Sequence, residues 1–471
     1  MLPFNDYDFV YFIGIGGIGM SALAQLFAKQ GYQVFGYDQS PSAIVSQLRK
    51  EGILIACEDR LEAIPDIICN HPSQTLVIYT PAIPADSPIL NYFKEVGYKI
   101  QSRAEILGTI SKQFVTIAVA GTHGKTTTSA MIAHILHQSD LPMVAFVGGM
   151  MQLYDTNLLY NHSLDNVQFM VAEADEFNRS FLHLKPTFSI VTAADADHPE
   201  TYTTAAQMEA SFREFVCQNQ KNVLIQHRAA DQLKIATHYN MPVLTYGLEQ
   251  GNIIADNISI TPHQSTFDYL GTDTTIANIV LPIAGLYNIE NALAAITICL
   301  EVGLTASQIQ TAMASFPGIK RRFSFVCSHV QYLLIDDYAH HPVEISALLH
   351  SVKKLYPSSR ITAIFQPHLF SRTKAFYKTF AASLSLADQV FILPIYPARE
   401  APMAGITAQL IFDELTCSRK ALVTMGDLLT ELASDATMQG HQVILTIGAG
   451  DIGAAVSTIA AGLQQIFDKV P

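Results

Sequence analysis

Apolar runs along this chain come in short blocks that close on glycine, proline or acidic residues, and most are followed by a longer stretch with helical spacing. The run FVYFI at 9–13 leads into a glycine-rich turn and then MSALAQLFAKQG, whose apolar residues repeat at helical intervals and stop at Gly31. YQVFGYD, ending at Asp38, and TLVIYTPAI carry the same strand-then-helix alternation to about residue 110, the pattern of an open α/β sheet. VTIAVA at 115–120 restarts it with a new glycine-rich loop and the helix TTTSAMIAHILHQ. FMVAEAD and FSIVTAADAD read as further buried strands, and 253–283 alternates between turn residues as an antiparallel side sheet would. YLLIDDYAHH begins a third series that continues through RITAIFQPH, QVFILPIY and VILTIGAG. The fold class expected is α/β, in three domains spanning 1–112, 113–315 and 316–471. A length of 471 residues fits three units at roughly 150 residues each.

Composition matters mainly for what it excludes. The chain is 49% hydrophobic and 15% charged, which favours large cores over disorder. Acidic residues outnumber basic ones by 41 to 28, and no Lys/Arg-rich run could neutralise a phosphate backbone, so nucleic acid is not an expected partner. The six cysteines are scattered without a C-x-x-C pair and read as reduced thiols. The N-terminus lacks the basic region of a signal peptide and no apolar run reaches the ~18 residues of a membrane span, so a cytoplasmic location is expected.

Two glycine-rich loops carry the first chemistry. Gly14-Ile15-Gly16-Gly17-Ile18-Gly19 satisfies G-x-G-x-x-G between strand and helix, and Asp38 follows 19 residues after Gly19 at the end of the next strand. Glycines there let the backbone approach a diphosphate at a helix N-terminus. Alone, this loop suggests an NAD-dependent oxidoreductase. Gly121-Thr122-His123-Gly124-Lys125-Thr126-Thr127-Thr128 changes that reading, because it resembles a phosphate-binding loop shortened from G-x-x-x-x-G-K-S/T, with Val119 where the first glycine would stand. Its amides can cradle phosphates, Lys125 can reach the terminal oxygens, and the Thr126 hydroxyl can ligate Mg²⁺. Glu173-Ala174-Asp175-Glu176 and Asp195-Ala196-Asp197-His198 end the next two strands, placing hard oxygen ligands and an imidazole at the same sheet edge. Asp336-Asp337-Tyr338-Ala339-His340-His341 and Phe365-Gln366-Pro367-His368-Leu369-Phe370-Ser371-Arg372 leave strands in the last third. The His pair has no third partner at zinc spacing, which favours substrate contacts. Arg372 can hold a carboxylate in a bidentate fork. Gly448-Ala449-Gly450 is read as a structural turn.

Taken in order, GIGGIGMSALA, GTHGKTTT, EADE, DADH, GLYNIEN, GIKRRF, DDYAHHP, FQPHLFSR and REAP resemble the Mur ligase family over nearly the whole chain. The resemblance implies a three-domain α/β architecture: an N-terminal Rossmann-like UDP-binding domain, a central P-loop-type ATPase and a C-terminal Rossmann-like domain that closes over ATP. It implies ATP-dependent addition of L-alanine to UDP-N-acetylmuramate through an acyl phosphate in a bacterial cytoplasm, with ATP and Mg²⁺ required. A sibling ligase taking a preformed tripeptide is the nearest alternative. Carried over by position, Gly16, Gly17, Asp38, Thr80 and Arg103 would contact the UDP sugar. Gly121, Thr122, His123, Gly124, Lys125, Thr126 and Thr127 would hold ATP, with Asn288, Asn291, Arg321, Asp336 and Tyr338 completing its site. Thr126, Glu173 and His198 would bind the metal, and Lys125, Glu173 and His198 would serve the chemistry. His340, His368 and Arg372 would receive the amino acid. Two departures stand out: Tyr287 occupies a position where the family usually has histidine, and Leu369 one where arginine is common, so Arg372 would carry more of the charge recognition.

Overall fold

The computed structural model describes residues 2–468 apart from 163–165, 198–200, 240–241, 399 and 436–439. Its first sheet contains β1 (Phe9–Ile13), β2 (Gln33–Tyr37), β3 (Leu54–Ala56), β4 (Thr75–Tyr79) and β5 (Lys99–Ser102). All pairings are parallel and the order is β3-β2-β1-β4-β5. Every residue of β1 is buried, as expected of a central strand covered on both faces. The order reverses between β1 and β4, and a crevice opens there at the carboxyl ends, where Ile13 is level with both Tyr37 and Tyr79.

The second sheet comprises β6 (Val115–Ala120), β7 (Met143–Met151), β8 (Thr156–Tyr160), β9 (Phe169–Glu173), β10 (Phe188–Val191), β11 (Asn222–Gln226) and β12 (Val243–Tyr246), in the order β12-β11-β10-β6-β9-β7-β8. β6 is central, and the register pairs Val119 with Glu173 and Ala120 with Val191, so the phosphate loop and both acidic strand ends emerge at one edge. Only the β7–β8 hairpin is antiparallel among these strands. The side sheet expected over 253–283 consists of β13 (Ile254–Thr261), β14 (Gln264–Leu270) and β15 (Thr275–Leu281), antiparallel throughout. The last sheet, ordered β16-β17-β21-β18-β19-β20, joins β16 (Ser324–Ser328), β17 (Tyr332–Asp337), β18 (Arg360–Phe365), β19 (Gln389–Ile392), β20 (Arg419–Leu422) and β21 (Gln442–Ile447). It is parallel except for the β16–β17 pair.

The apolar cores divide unevenly. One cluster runs without a break from Leu2 and Phe12 of the first sheet region to Ala118, Phe212 and Ile225 of the second. The inner cluster of the third sheet, around Ile335, Phe365 and Leu445, takes only Ala284 and the partly buried Ile260 from earlier in the chain among the described residues. The first two units are therefore welded by shared burial, whereas the third meets them largely through polar groups.

Candidate functional site

At the first crevice the Asp38 carboxylate accepts hydrogen bonds from the Gly16 N–H at 2.7 Å and the Ser40 N–H at 2.9 Å. That fixes the glycine turn against the end of β2. Arg103 starts the helix Arg103–Ser111 and reaches across to Asp175 of the second unit, at 3.3 Å. Gly16, Gly17, Asp38, Thr80 and Arg103 thus gather around the carboxyl ends of the first sheet's strands.

The second loop wraps the start of the helix Lys125–Gln138. Gly121 has φ +131° and Gly124 φ +80°; a β-carbon at Gly121 would lie 2.2 Å from the Thr192 hydroxyl, and one at Gly124 2.5 Å from the Asn291 side-chain oxygen. Glycine alone fits both places. Lys125 Nζ donates to the Gly121 carbonyl at 2.5 Å and to Glu176 at 2.9 Å. Burial works against the Lys125 ammonium, but Glu176, Glu173 and Asp175 outweigh it and hold its pKa above the ordinary value. The Thr126 hydroxyl donates to Glu173, whose two oxygens lie 3.1 and 3.0 Å away, and the Gly148 N–H donates to the same carboxylate. Burial raises the Glu173 pKa despite Lys125 and Thr126, the state of a carboxylate short of positive charge. A hydroxyl and a buried carboxylate in contact make a hard-oxygen pair that suits Mg²⁺. His198, the third expected ligand, lies outside the described residues. Among the described residues no group of three or more His, Cys, Asp or Glu is placed to hold a metal ion.

The third unit closes this edge. Arg372 Nη2 donates to Asp197 at 2.8 Å, and the two side chains are 3% and 5% exposed. His123 of the phosphate loop meets Glu344 at 3.2 Å and Asp195 at 3.5 Å. Burial alone would lower the His123 pKa, yet Glu344, Asp195 and Asp197 raise it. Burial alone would raise that of Glu344, yet His340, His123 and Arg322 hold it well below the carboxylate range. Glu344 also caps its own helix, Pro342–Leu355, accepting from the backbone N–H groups of His340 and His341.

Tautomers follow from these contacts. Burial drives the His340 pKa down to about 3, so the ring is neutral, and its Nδ1 lies 3.0 Å from the Tyr338 carbonyl. Nδ1 must carry the proton, leaving a lone pair on Nε2. His341 is the reverse: burial lowers its pKa, and its Nδ1 accepts from the Val343 N–H. Among the described residues its Nε2–H is a buried donor without a partner, as is Nε of Arg372.

Between the second and third units lies a cleft of about 1460 Å³, lined by His123, Gly124, Thr126, Asn288, Asn291, Arg322, Asp337 and His341. Here the structure revises one expectation. Arg321 turns away, donating from Nε to Asp336 at 3.0 Å and from Nη2 to the Gly448 carbonyl at 2.6 Å, with Tyr338 beneath its guanidinium. The next residues along, Arg322 and Asp337, face the cleft instead. Arg321 and Phe323 have φ of +63° and +48°, and this left-handed turn decides which arginine points inward. Tyr287 lines the cleft, where burial keeps its hydroxyl protonated. Leu369 takes φ +69° and is buried, so no charge replaces the arginine common there. The GAG turn at 448–450 packs on Gln366 and Arg321, the structural role expected of it. Sequence reasoning passed over Arg322 and Glu344, and from the Asp336–His341 motif it carried Asp336 and His340 forward to named roles rather than Asp337 and His341; the H-x-x-E spacing of a capping box was the one available signal for Glu344.

Comparison with known proteins agrees with this arrangement. Residues 9–115 match the model of the Mur ligase family, catalytic domain, residues 119–299 the Mur ligase middle domain, and residues 321–450 the Mur ligase, glutamate ligase domain. A UDP-N-acetylmuramate–L-alanine ligase of Porphyromonas gingivalis is 43% identical over 465 residues, covering 97% of this chain and 99% of the other. A protein of the same description from Flavobacterium johnsoniae is also 43% identical, over 98% of this chain and 99% of its own. The crystal structure of a UDP-N-acetylmuramate-alanine ligase from Thermotoga maritima superposes with a TM-score of 0.79 at 28% identity, covering 97% and 99% of the two chains. Two nucleotide-type loops, an acidic strand edge and a closing third sheet, matched by family models from residue 9 to residue 450, lead to one conclusion: the chain belongs to the Mur ligase family.

Proposed function

We propose that this chain is an ATP-dependent ligase that forms the amide between L-alanine and the lactyl carboxylate of UDP-N-acetylmuramate, a step of peptidoglycan synthesis. The observation that carries the proposal is the convergence of the phosphate loop, the Thr126–Glu173 oxygen pair and the third unit's Arg372 and His340 at one sheet edge. The full-length likeness to ligases of that description supports it. In this reading Gly16, Gly17, Asp38, Thr80 and Arg103 hold the UDP sugar. The loop from Gly121 to Thr127 holds the ATP phosphates, with Asn288, Asn291, Arg322 and Asp337 around the nucleotide and Arg321, Asp336 and Tyr338 bracing the last two. His340, His368 and Arg372 receive alanine.

The chemistry takes two displacements. A lactyl oxygen attacks the γ-phosphorus, the bond to the bridging oxygen breaks, and ADP leaves with the electron pair. Alanine's amine then attacks the acyl carbon, inorganic phosphate departs, and the nitrogen gives up a proton to solvent. Lys125, held charged by its acidic neighbours, offsets the charge building on the transferring phosphoryl oxygens. Mg²⁺, held by Thr126 and Glu173, would neutralise phosphate charge in the same place. The His340 Nε2 lone pair accepts a hydrogen bond from the amine while Arg372 Nε–H meets the carboxylate, which orients the nucleophile. The test is phosphate release with UDP-N-acetylmuramate and a panel of L-Ala, L-Ser, Gly, D-Glu and the tripeptide. Release driven best by L-Ala supports the proposal; release driven by the tripeptide alone assigns the chain to the sibling activity.

A further inference from the structure

In the wall of the same cleft stands a carboxylate with no part in the chemistry above. Glu290 belongs to the helix Leu286–Glu301, two turns of which also supply Asn288 and Asn291, and it lines the cleft beside Gln226, Gly247 and Leu248. Gln226 Nε2 donates to Glu290 Oε1 at 3.0 Å. The direction of that bond is fixed, because the other end of the same amide, Oε1, accepts the Ala229 N–H at 3.0 Å. Burial raises the Glu290 pKa, opposed by the Gln226 amide, the nearby Arg228 charge and a hydrogen bond donated by the Leu248 backbone N–H. The carboxylate is therefore held in place by protein donors on one side. An ionised carboxyl group has about four lone-pair positions, and these bonds leave some of them facing the cleft.

The surroundings suit a flat ring. Gly247 presents backbone alone, in a position where a β-carbon would lie 2.6 Å from the Gln250 carbonyl and 3.6 Å from Glu290 Oε1. Leu248 supplies an apolar surface, and the phosphate loop lies along the same cleft. A partly buried acceptor there rejects a ring that presents a carbonyl oxygen, since two acceptors face each other without a proton between them. We propose that Glu290, oriented by Gln226, is the residue that reads the nucleotide base, accepting a hydrogen bond from the exocyclic amine of adenine and so selecting ATP over 6-oxopurine triphosphates. This rests on the nucleotide occupying the phosphate loop as proposed above.

The substitution Glu290→Gln tests it, because shape is retained and only the acceptor pattern changes. Gln226 still needs an oxygen, so the new amide turns its NH₂ toward the cleft and favours a 6-oxo group. Dissociation constants for ATP and ITP, measured by calorimetry on the full chain without amino acid, give the readout. The wild type is expected to bind ATP at least about tenfold more tightly than ITP, as one charge-assisted hydrogen bond allows. Glu290→Gln is expected to narrow that ratio at least about fivefold, with the UDP-N-acetylmuramate constant unchanged. Equal binding of ATP and ITP by the wild type overturns the proposal without any variant, and so does a Glu290→Gln protein whose ratio stays at the wild-type value. Failure of the underlying reading is separable: Lys125→Ala would then leave ATP binding untouched.

Discussion

Lys125 sits 2.5 Å from the Gly121 carbonyl and 2.9 Å from the fully buried Glu176, so its ammonium is aimed across the mouth of the phosphate loop before any nucleotide arrives. Replacing it by alanine is expected to abolish phosphate release while leaving UDP-N-acetylmuramate affinity within about threefold, because the sugar crevice lies in a different sheet. Calorimetry with the UDP sugar checks this, and a large loss of affinity would reassign the two loops. Arg372 is the second test at this scale. A charge-assisted hydrogen bond contributes about 1.5 to 3 kcal/mol, or about 10- to 150-fold in affinity, and lysine keeps the charge without the planar fork. Arg372→Lys should raise the KM for L-alanine at least about tenfold with smaller changes for ATP; equal rises for all three substrates would make Arg372 a closure residue that only pairs with Asp197. The glycines, Lys125, Thr126 and Glu173 were legible in the sequence, since their chemistry demands those residue types at fixed spacing. The choice between Arg321 and Arg322, and between Asp336 and Asp337, was not. It turns on left-handed backbone at residues 321 and 323, which no side-chain pattern announces.

The helix Lys125–Gln138 transmits the loop's position into the core, and His134 anchors it. That ring is 0% exposed; its Nδ1 lies 2.8 Å from the Tyr154 hydroxyl, and its Nε2 lies 3.0 Å from the Ala312 carbonyl. Burial pushes its pKa from 6.5 down to about 4, so the ring folds neutral, donates from Nε2 and accepts at Nδ1. A group whose pKa is depressed by folding contributes stability that is present above its unfolded pKa and lost as pH falls toward the folded one. Between pH 6.5 and 5 the unfolded chain binds a proton that the native ring refuses, which costs on the order of 2 kcal/mol. The midpoint of urea unfolding should therefore fall over that range in the wild type and fall less in His134→Gln. Parallel slopes for the two proteins would mean that His134 is not the group responsible. At this scale the parallel strands were readable as apolar runs ending in polar residues. The β7–β8 hairpin was not picked out, because its first strand carries consecutive buried residues and then glycines rather than an alternating pattern.

Across the whole molecule, the first two units share one apolar core while the third contributes a nearly separate one and meets them through His123–Glu344 and Arg372–Asp197. These pairs join positions 221 and 175 residues apart, which is why a single sequence displayed the residues and not their meeting. Polar interfaces of this kind open and close more readily than apolar ones. Glu344→Gln removes the charge that holds His123, so we expect the KM values for ATP and L-alanine to rise together about tenfold, with UDP-sugar binding little changed. Unchanged kinetics would show that closure does not depend on this contact. The central claim is that the closed edge activates a carboxylate with ATP and then delivers an amine to it. Its most direct test is turnover of UDP-N-acetylmuramate carrying ¹⁸O in both lactyl carboxylate oxygens, followed by mass spectrometry of the products. The account predicts one ¹⁸O in each inorganic phosphate released and one retained in the amide; phosphate free of ¹⁸O would contradict the acyl phosphate and the reading of the site built on it.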